Sequence, residues 1–157
     1  MKKQTQAIHT QFQRPDAYSS LSMPVYHTAA YEFGDAVSMT DAFCGRTDDP
    51  DYSRVMNPTV TFFENKVRAL TGATDVIALS SGMAAISNAL LALAESGRKI
   101  VTSRHLFGNT YSFITGTLRR FGIEPVLCDL TDLHAVEQAI DDRTCALFLE
   151  IITNPQM

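Results

Sequence analysis

The chain has 157 residues, enough for one hydrophobic core and short for two full domains. Its net charge of −4 argues against bulk binding to nucleic acid or to an anionic membrane surface. Cys44, Cys128 and Cys145 form no CxxC, and His9, His27, His105 and His134 are scattered, so neither a disulfide framework nor a metal site is expected. The start, MKKQTQAIHTQF, is basic but lacks the apolar region of a signal peptide, and no run has the length of a membrane span. A soluble chain in a reducing cytoplasm is the simplest expectation.

In chain order, residues 1–58 hold four of the six prolines and little sustained periodicity, including the polar run GRTDDPD at 45–51. This zone reads as an arm or extension, either reaching a partner subunit or lying as a loose surface segment. From Thr59 the pattern is regular. Phe63, Val67 and Leu70 form one helical stripe, Ile86, Leu90 and Leu93 a second, and Ile114, Leu118 and Phe121 a third. Apolar runs alternate with them: DVIAL (75–79), KIVTS (99–103), PVLCD (125–129) and CALFLE (145–150) are the predicted strands. Gly72, Gly97 and Gly122 recur every 25 positions, each after a helical stripe and before an apolar run. Glycine there is a helix stop, because it enters the left-handed region cheaply. Strands alternating with helices of this length predict an α/β fold with a mostly parallel sheet covered by helices.

Ligands in such sheets gather at the carboxyl ends of the strands. Four connections there hold chemistry. In Ser80-Ser81-Gly82-Met83 the serines can cap a helix, while Gly82 and the free amides of the first turn favour a phosphate; both readings stand on residue type alone. The stretch matches neither GxGxxG nor GxxxxGK[ST]. In YSRVMNPT (52–59), Tyr52 and Arg54 share a face if the chain is extended, and both suit phosphate; an ordinary surface pair is the alternative. In HLFGNTYSF (105–113), Phe107 offers an aromatic face or a core side chain, and Thr110 a cap. EIITNP (150–155) ends the last strand with Glu150 and Asn154, or with a simple Asn-Pro turn.

Taken in order, TQAIHTQF, MPVYHTAAYEF, YSRVMNPT, ALSSGMAAI, HLFGNTY and EIITNP resemble the Cys/Met-metabolism family of pyridoxal-phosphate enzymes over nearly the whole chain. YSRVMNPT looks most like the O-acetylhomoserine sulfhydrylase branch, whereas EIITNP departs from the family by placing Ile152 where a proline is usual.

The resemblance implies a three-layer αβα cofactor domain, of which residues 59–157 are the first part, preceded by an arm over 1–58 that contacts a partner subunit. It implies that the amides of Gly82 and Met83 bind the phosphate of pyridoxal 5'-phosphate. Tyr52 and Arg54 would reach the phosphate of a neighbouring subunit's cofactor, in a homodimer or homotetramer with shared active sites. Phe107 takes the place of a tyrosine stacked on the cofactor ring, keeping the face but losing the hydroxyl. Asn154 would bond the ring hydroxyl oxygen. The Schiff-base lysine, the Asp at the pyridine nitrogen and the arginine for the substrate carboxylate are expected beyond Met157, so the chain reads as an N-terminal part with no catalytic residue of its own. The implied chemistry is γ-replacement on O-acetylhomoserine with sulfide or a thiol. A γ- or β-lyase or, if the chain is naturally this short, a non-catalytic cofactor half-site are the alternatives.

Overall fold

The computed structural model describes residues 2–10 and 18–153, in two compact units, 1–78 and 79–157. The first unit holds three helices, α1 (Lys3–His9), α2 (Ala36–Phe43) and α3 (Pro58–Thr71). α1 packs on α3, where the Gln6 side chain donates to the Ala69 carbonyl at 3.0 Å. Asp35 caps α2 by accepting the amides of Val37 and Ser38, both at 2.8 Å. Those bonds, with the Ser38 hydroxyl, stabilise the ionised carboxylate and hold its pKa below the ordinary value.

α3 forms where its stripe predicts. Asn57 caps it by accepting the Thr59 amide at 2.9 Å, and Pro58 takes the first turn, where its missing N–H costs nothing. Gly72 ends it in the left-handed region at φ 76°, its amide bonded to the Arg68 carbonyl. Phe63 of the stripe is nonetheless 56 % exposed.

The predicted strand DVIAL does not form. Residues 75–79 join no ladder, and side chains occupy two of their amides: Asp75 accepts from Val76 at 2.8 Å, and Glu64 of α3 accepts from Ala78 at 2.7 Å. An apolar run becomes a strand only when a neighbouring backbone pairs with it, and Ile77 is 78 % exposed.

The second unit runs α4 (Gly82–Leu93), β1 (Lys99–Thr102), a helical segment, β2 (Glu124–Leu127), α7 (Leu133–Ala139) and β3 (Thr144–Phe148). The helical segment between β1 and β2 is α5 (Gly108–Ser112), a π-helical turn (Phe113–Thr117) and α6 (Leu118–Arg120). The three strands are parallel in the order β2-β1-β3. The fold is α/β, a parallel sheet with helices joining its strands. All four residues of β1 are buried, as a central strand requires. Ile100 forms the core with Leu90 of α4, Leu106, Ile114, Leu118 and Ile123.

Two irregularities have local causes. Between β1 and β3 the register steps so that Lys99 faces Thr144 but Ile100 faces Ala146. Cys145 is the extra residue, and its thiol reaches the Lys99 carbonyl at 3.3 Å. Gly122 sits at φ 77°, and a Cβ there would collide with the Ser96 side chain, so this position needs glycine for both conformation and space. Among the described residues, no helix is long and apolar enough to cross a membrane.

Lys99 is buried at the head of β1, its ammonium 2.9 Å from Asp141. The Lys99 hydrogen bond, then the Arg143 amide, hold the Asp141 carboxyl below its ordinary value of 3.8. The folded state therefore binds its proton less readily than the unfolded chain does. The resulting stabilisation is complete above the ordinary value and is lost as pH falls through the lower folded value. Asp141→Asn is expected to lower stability at neutral pH and to flatten its decline on acidification. Urea unfolding across a pH series checks this, and an unchanged acid slope would contradict it.

Candidate functional site

α4 opens the second unit with a cap that leaves donors over. Ser81 accepts the Ala84 amide on its hydroxyl at 3.1 Å and the Ala85 amide on its carbonyl at 3.0 Å. The amides of Gly82 and Met83 have no acceptor among the described residues, as the first turn of a helix implies. Gly82 is exposed, and outside its chain neighbours and the backbone of its own helix no heavy atom lies within 4 Å of where a Cβ on it would stand. Capping and anion binding are thus compatible uses of the same turn.

The segment after β1 reaches this turn. Thr110, buried in α5, directs its hydroxyl to the Met83 sulfur at 3.6 Å. It does not cap α5: Phe107 is the cap residue and supplies no side-chain bond. Phe107 is 45 % exposed and is not part of the buried core of this unit. Its amide donates to both oxygens of Glu150, at 3.0 and 3.1 Å, two residues beyond β3. Gly82, Met83, Phe107 and Glu150 are therefore linked within one unit. Asn154 lies outside the described residues.

Tyr52 and Arg54 lie in the first unit, and not on extended chain. The Val55 and Met56 amides both return to the Tyr52 carbonyl, at 2.8 and 2.9 Å, so the stretch is a turn. The Arg54 guanidinium stacks over the Tyr52 ring, 4.9 Å from its centroid. Among the described residues no carboxylate pairs with that guanidinium, which stays exposed.

Three side chains hold this turn, and residue type alone did not single them out for it. Ser53 donates its hydroxyl to the Thr28 carbonyl and its amide to the Ala29 carbonyl. Asn57 donates to the Tyr26 carbonyl at 3.0 Å and to the Ser53 hydroxyl at 2.9 Å. Thr59 accepts the Tyr26 amide at 2.9 Å. The signal was the pairing of two quoted stretches, since MPVYHTAAYEF supplies the backbone partners that YSRVMNPT needs.

Similarity to known proteins follows the same motifs. The model of the Cys/Met metabolism PLP-dependent enzymes matches residues 4–157. The sulfhydrylase FUB7 of Fusarium oxysporum is 39 % identical over 90 % of this chain and 33 % of its own length. L-Methionine gamma-lyase of Fusobacterium nucleatum is 36 % identical over 98 % of this chain and 38 % of its own. A Campylobacter jejuni protein assigned as an O-acetylhomoserine (thiol)-lyase, crystallised with N'-pyridoxyl-lysine-5'-monophosphate, superposes with a TM-score of 0.91 at 35 % identity, over 99 % of this chain and 38 % of that one. The chain spans 33–38 % of the length of these curated relatives. It belongs to the Cys/Met metabolism family of pyridoxal-phosphate-dependent enzymes.

The family's cofactor is pyridoxal phosphate, and the donor set here suits its two ends. Free helix-start amides beside an open glycine suit a phosphate, because the amides point outward and the helix dipole favours an anion. An exposed phenyl face suits a flat heteroaromatic ring.

Asn57 is both helix cap and brace of the Tyr52 turn. Asn57→Ala is expected to cost about 1–2 kcal/mol of stability and to speed amide exchange across residues 52–56. Denaturant unfolding with residue-resolved hydrogen exchange checks both; slow exchange retained in the variant would show that the turn does not depend on this side chain.

Proposed function

We propose that the protein is a pyridoxal-phosphate enzyme of sulfur amino-acid metabolism that carries out γ-replacement on O-acetylhomoserine, with sulfide or a thiol as incoming nucleophile. The observation that carries the reading is the open first turn of α4, with the Gly82 and Met83 amides uncommitted and Phe107 exposed in the same unit. Likeness to a sulfhydrylase and to a protein assigned as an O-acetylhomoserine (thiol)-lyase supports the substrate class.

Pyridoxal phosphate, when bound, supplies an electron sink for breaking bonds next to the substrate's amino carbon. The Gly82 and Met83 amides would hold the phosphate and Phe107 would stack on the ring; Asn154, outside the described residues, would bond the ring hydroxyl oxygen. Phe107 has no hydroxyl, so it orients and excludes water but moves no proton. Lys99 is not the lysine that joins the cofactor, since it is buried and committed to Asp141.

Tyr52 and Arg54 reach the phosphate held by a neighbouring subunit, which makes the working enzyme a homodimer or homotetramer with shared sites. The exposed Arg54, without a carboxylate partner among the described residues, supports this assignment. So do the exposed Val37, Met39 and Phe43 on α2, which an assembly would cover. In this reading residues 1–58 are the arm that contacts the partner, and 59–157 begin the cofactor domain of a cytoplasmic enzyme.

A lyase is the second reading, favoured by the likeness to methionine gamma-lyase. Product analysis on the full-length protein decides between them. O-acetylhomoserine with sulfide should yield homocysteine and acetate; a keto acid and ammonia from methionine or cystathionine, without replacement, would establish the lyase. Loss of both activities in a protein that still binds pyridoxal phosphate would leave the non-catalytic half-site.

Arg54→Ala is expected to weaken retention of the cofactor roughly tenfold by removing charge-assisted contacts to the phosphate. Equilibrium dialysis against pyridoxal phosphate measures it. Retention equal to wild type would overturn the intersubunit assignment.

A further inference from the structure

We propose that Glu150 is a positioning residue: its carboxylate holds the Phe107 peptide, and through it the ring, in the pose that meets the cofactor. The inference rests on the placement of Phe107 against the cofactor ring proposed above.

The geometry is specific. Phe107 stands at the junction between the segment after β1 and the start of α5, with φ −55° and ψ 137°. Its amide would be an orphan donor, since this helix start has no side-chain cap. Both Glu150 oxygens lie within 3.0–3.1 Å of it. Glu150 in turn is placed by the sheet. β1 and β3 are direct neighbours, with Thr102 opposite Phe148, and the Thr102 hydroxyl clasps the Phe148 carbonyl at 2.7 Å. The two strand ends are thus tied just before the segments that bear Phe107 and Glu150 depart.

The order β2-β1-β3 doubles back at β1, so the crevice beyond these carboxyl ends is where an open parallel sheet accepts ligands. On its other side the segment is anchored by Thr110 against Met83. Phe107 is therefore braced between the end of β3 and the first turn of α4. A carboxylate suits the first position because it accepts an N–H strongly and faces the positive end of a helix. Without it the Phe107 amide loses its acceptor, and the residue keeps only the bond from the Tyr111 amide to its carbonyl, at 2.9 Å, and the packing of a ring that is 45 % exposed.

The test uses the full-length protein with Glu150→Gln and Glu150→Ala. Three quantities are measured: exchange of the Phe107 amide, affinity for pyridoxal phosphate, and the visible circular dichroism of the bound cofactor, which reports how its ring is held. Glu150→Ala should speed exchange and weaken affinity by about tenfold each, with a smaller dichroic band. Glu150→Gln retains a carbonyl acceptor and should stay within about threefold of wild type. Should Glu150→Ala fail to fold, Glu150→Asp, which keeps the charge but withdraws the oxygens, carries the expectation of Glu150→Ala.

Unchanged affinity and dichroism in Glu150→Ala, with both altered in Phe107→Ala, would overturn the positioning role and leave the cofactor assignment standing. A glutamine variant as impaired as alanine would also overturn it. If Phe107→Ala itself changes neither affinity nor dichroism, the placement of Phe107 fails, and this proposal with it.

Discussion

β1 is four residues long, and the second unit is arranged around it. It pairs with β2 on one edge and β3 on the other, and every one of its side chains is buried. Parallel pairing forbids hairpins, so crossovers join β1 to β2 and β2 to β3, and all three carboxyl ends lie at the same end of the sheet. That constraint brings the segments after β1 and β3 side by side, and the Phe107 amide and the Glu150 carboxylate meet as a result. The π-helical turn at Phe113–Thr117 lies in the same crossover, which delivers Ile114 and Leu118 to the core while Thr110 faces Met83.

The first unit shows a different economy. It has no extended sheet among the described residues, only the single bridge between Ala30 and Tyr52. Order there comes from side chains that bond backbone: Asn57, Ser53 and Thr59 fix the turn bearing Tyr52 and Arg54, and Glu64 captures the amide of Ala78. Polar side chains can hold a loop in one conformation without a large core, provided each donor and acceptor is matched. The result is an arginine presented on a rigid turn and left without a carboxylate partner among the described residues.

Sequence pattern revealed what depends on periodicity. α3, α4 and the segment from Gly108 to Arg120 were visible as stripes, and β1, β2 and β3 as apolar runs between them. Gly72 and Gly122 stop their helices as expected, but α4 ends at an extended Ala94 and Gly97 serves the turn before β1 instead. DVIAL misled because strand formation depends on a partner, whereas two of its amides went to the side chains of Asp75 and Glu64. α1, α2 and α7 have only seven or eight residues, too few for a stripe, although the caps Asp35 and Asp132 were there to read. At the site, residue types were legible but geometry was not. Tyr52 and Arg54 come together by a turn rather than by extended chain, and Thr110 serves Met83 rather than a helix cap. The Phe107–Glu150 contact joins residues 43 positions apart, and no local pattern encodes it.

The central claim is that the first turn of α4 receives the phosphate of pyridoxal phosphate. Selective nitrogen-15 labelling of glycine and methionine in the full-length protein allows the Gly82 and Met83 amides to be followed by NMR during titration with the cofactor. The account predicts that these two amides move far downfield and lose exchange with solvent as a phosphate oxygen accepts them. Cofactor binding that leaves both amides in place while shifting other labelled glycines or methionines would contradict it.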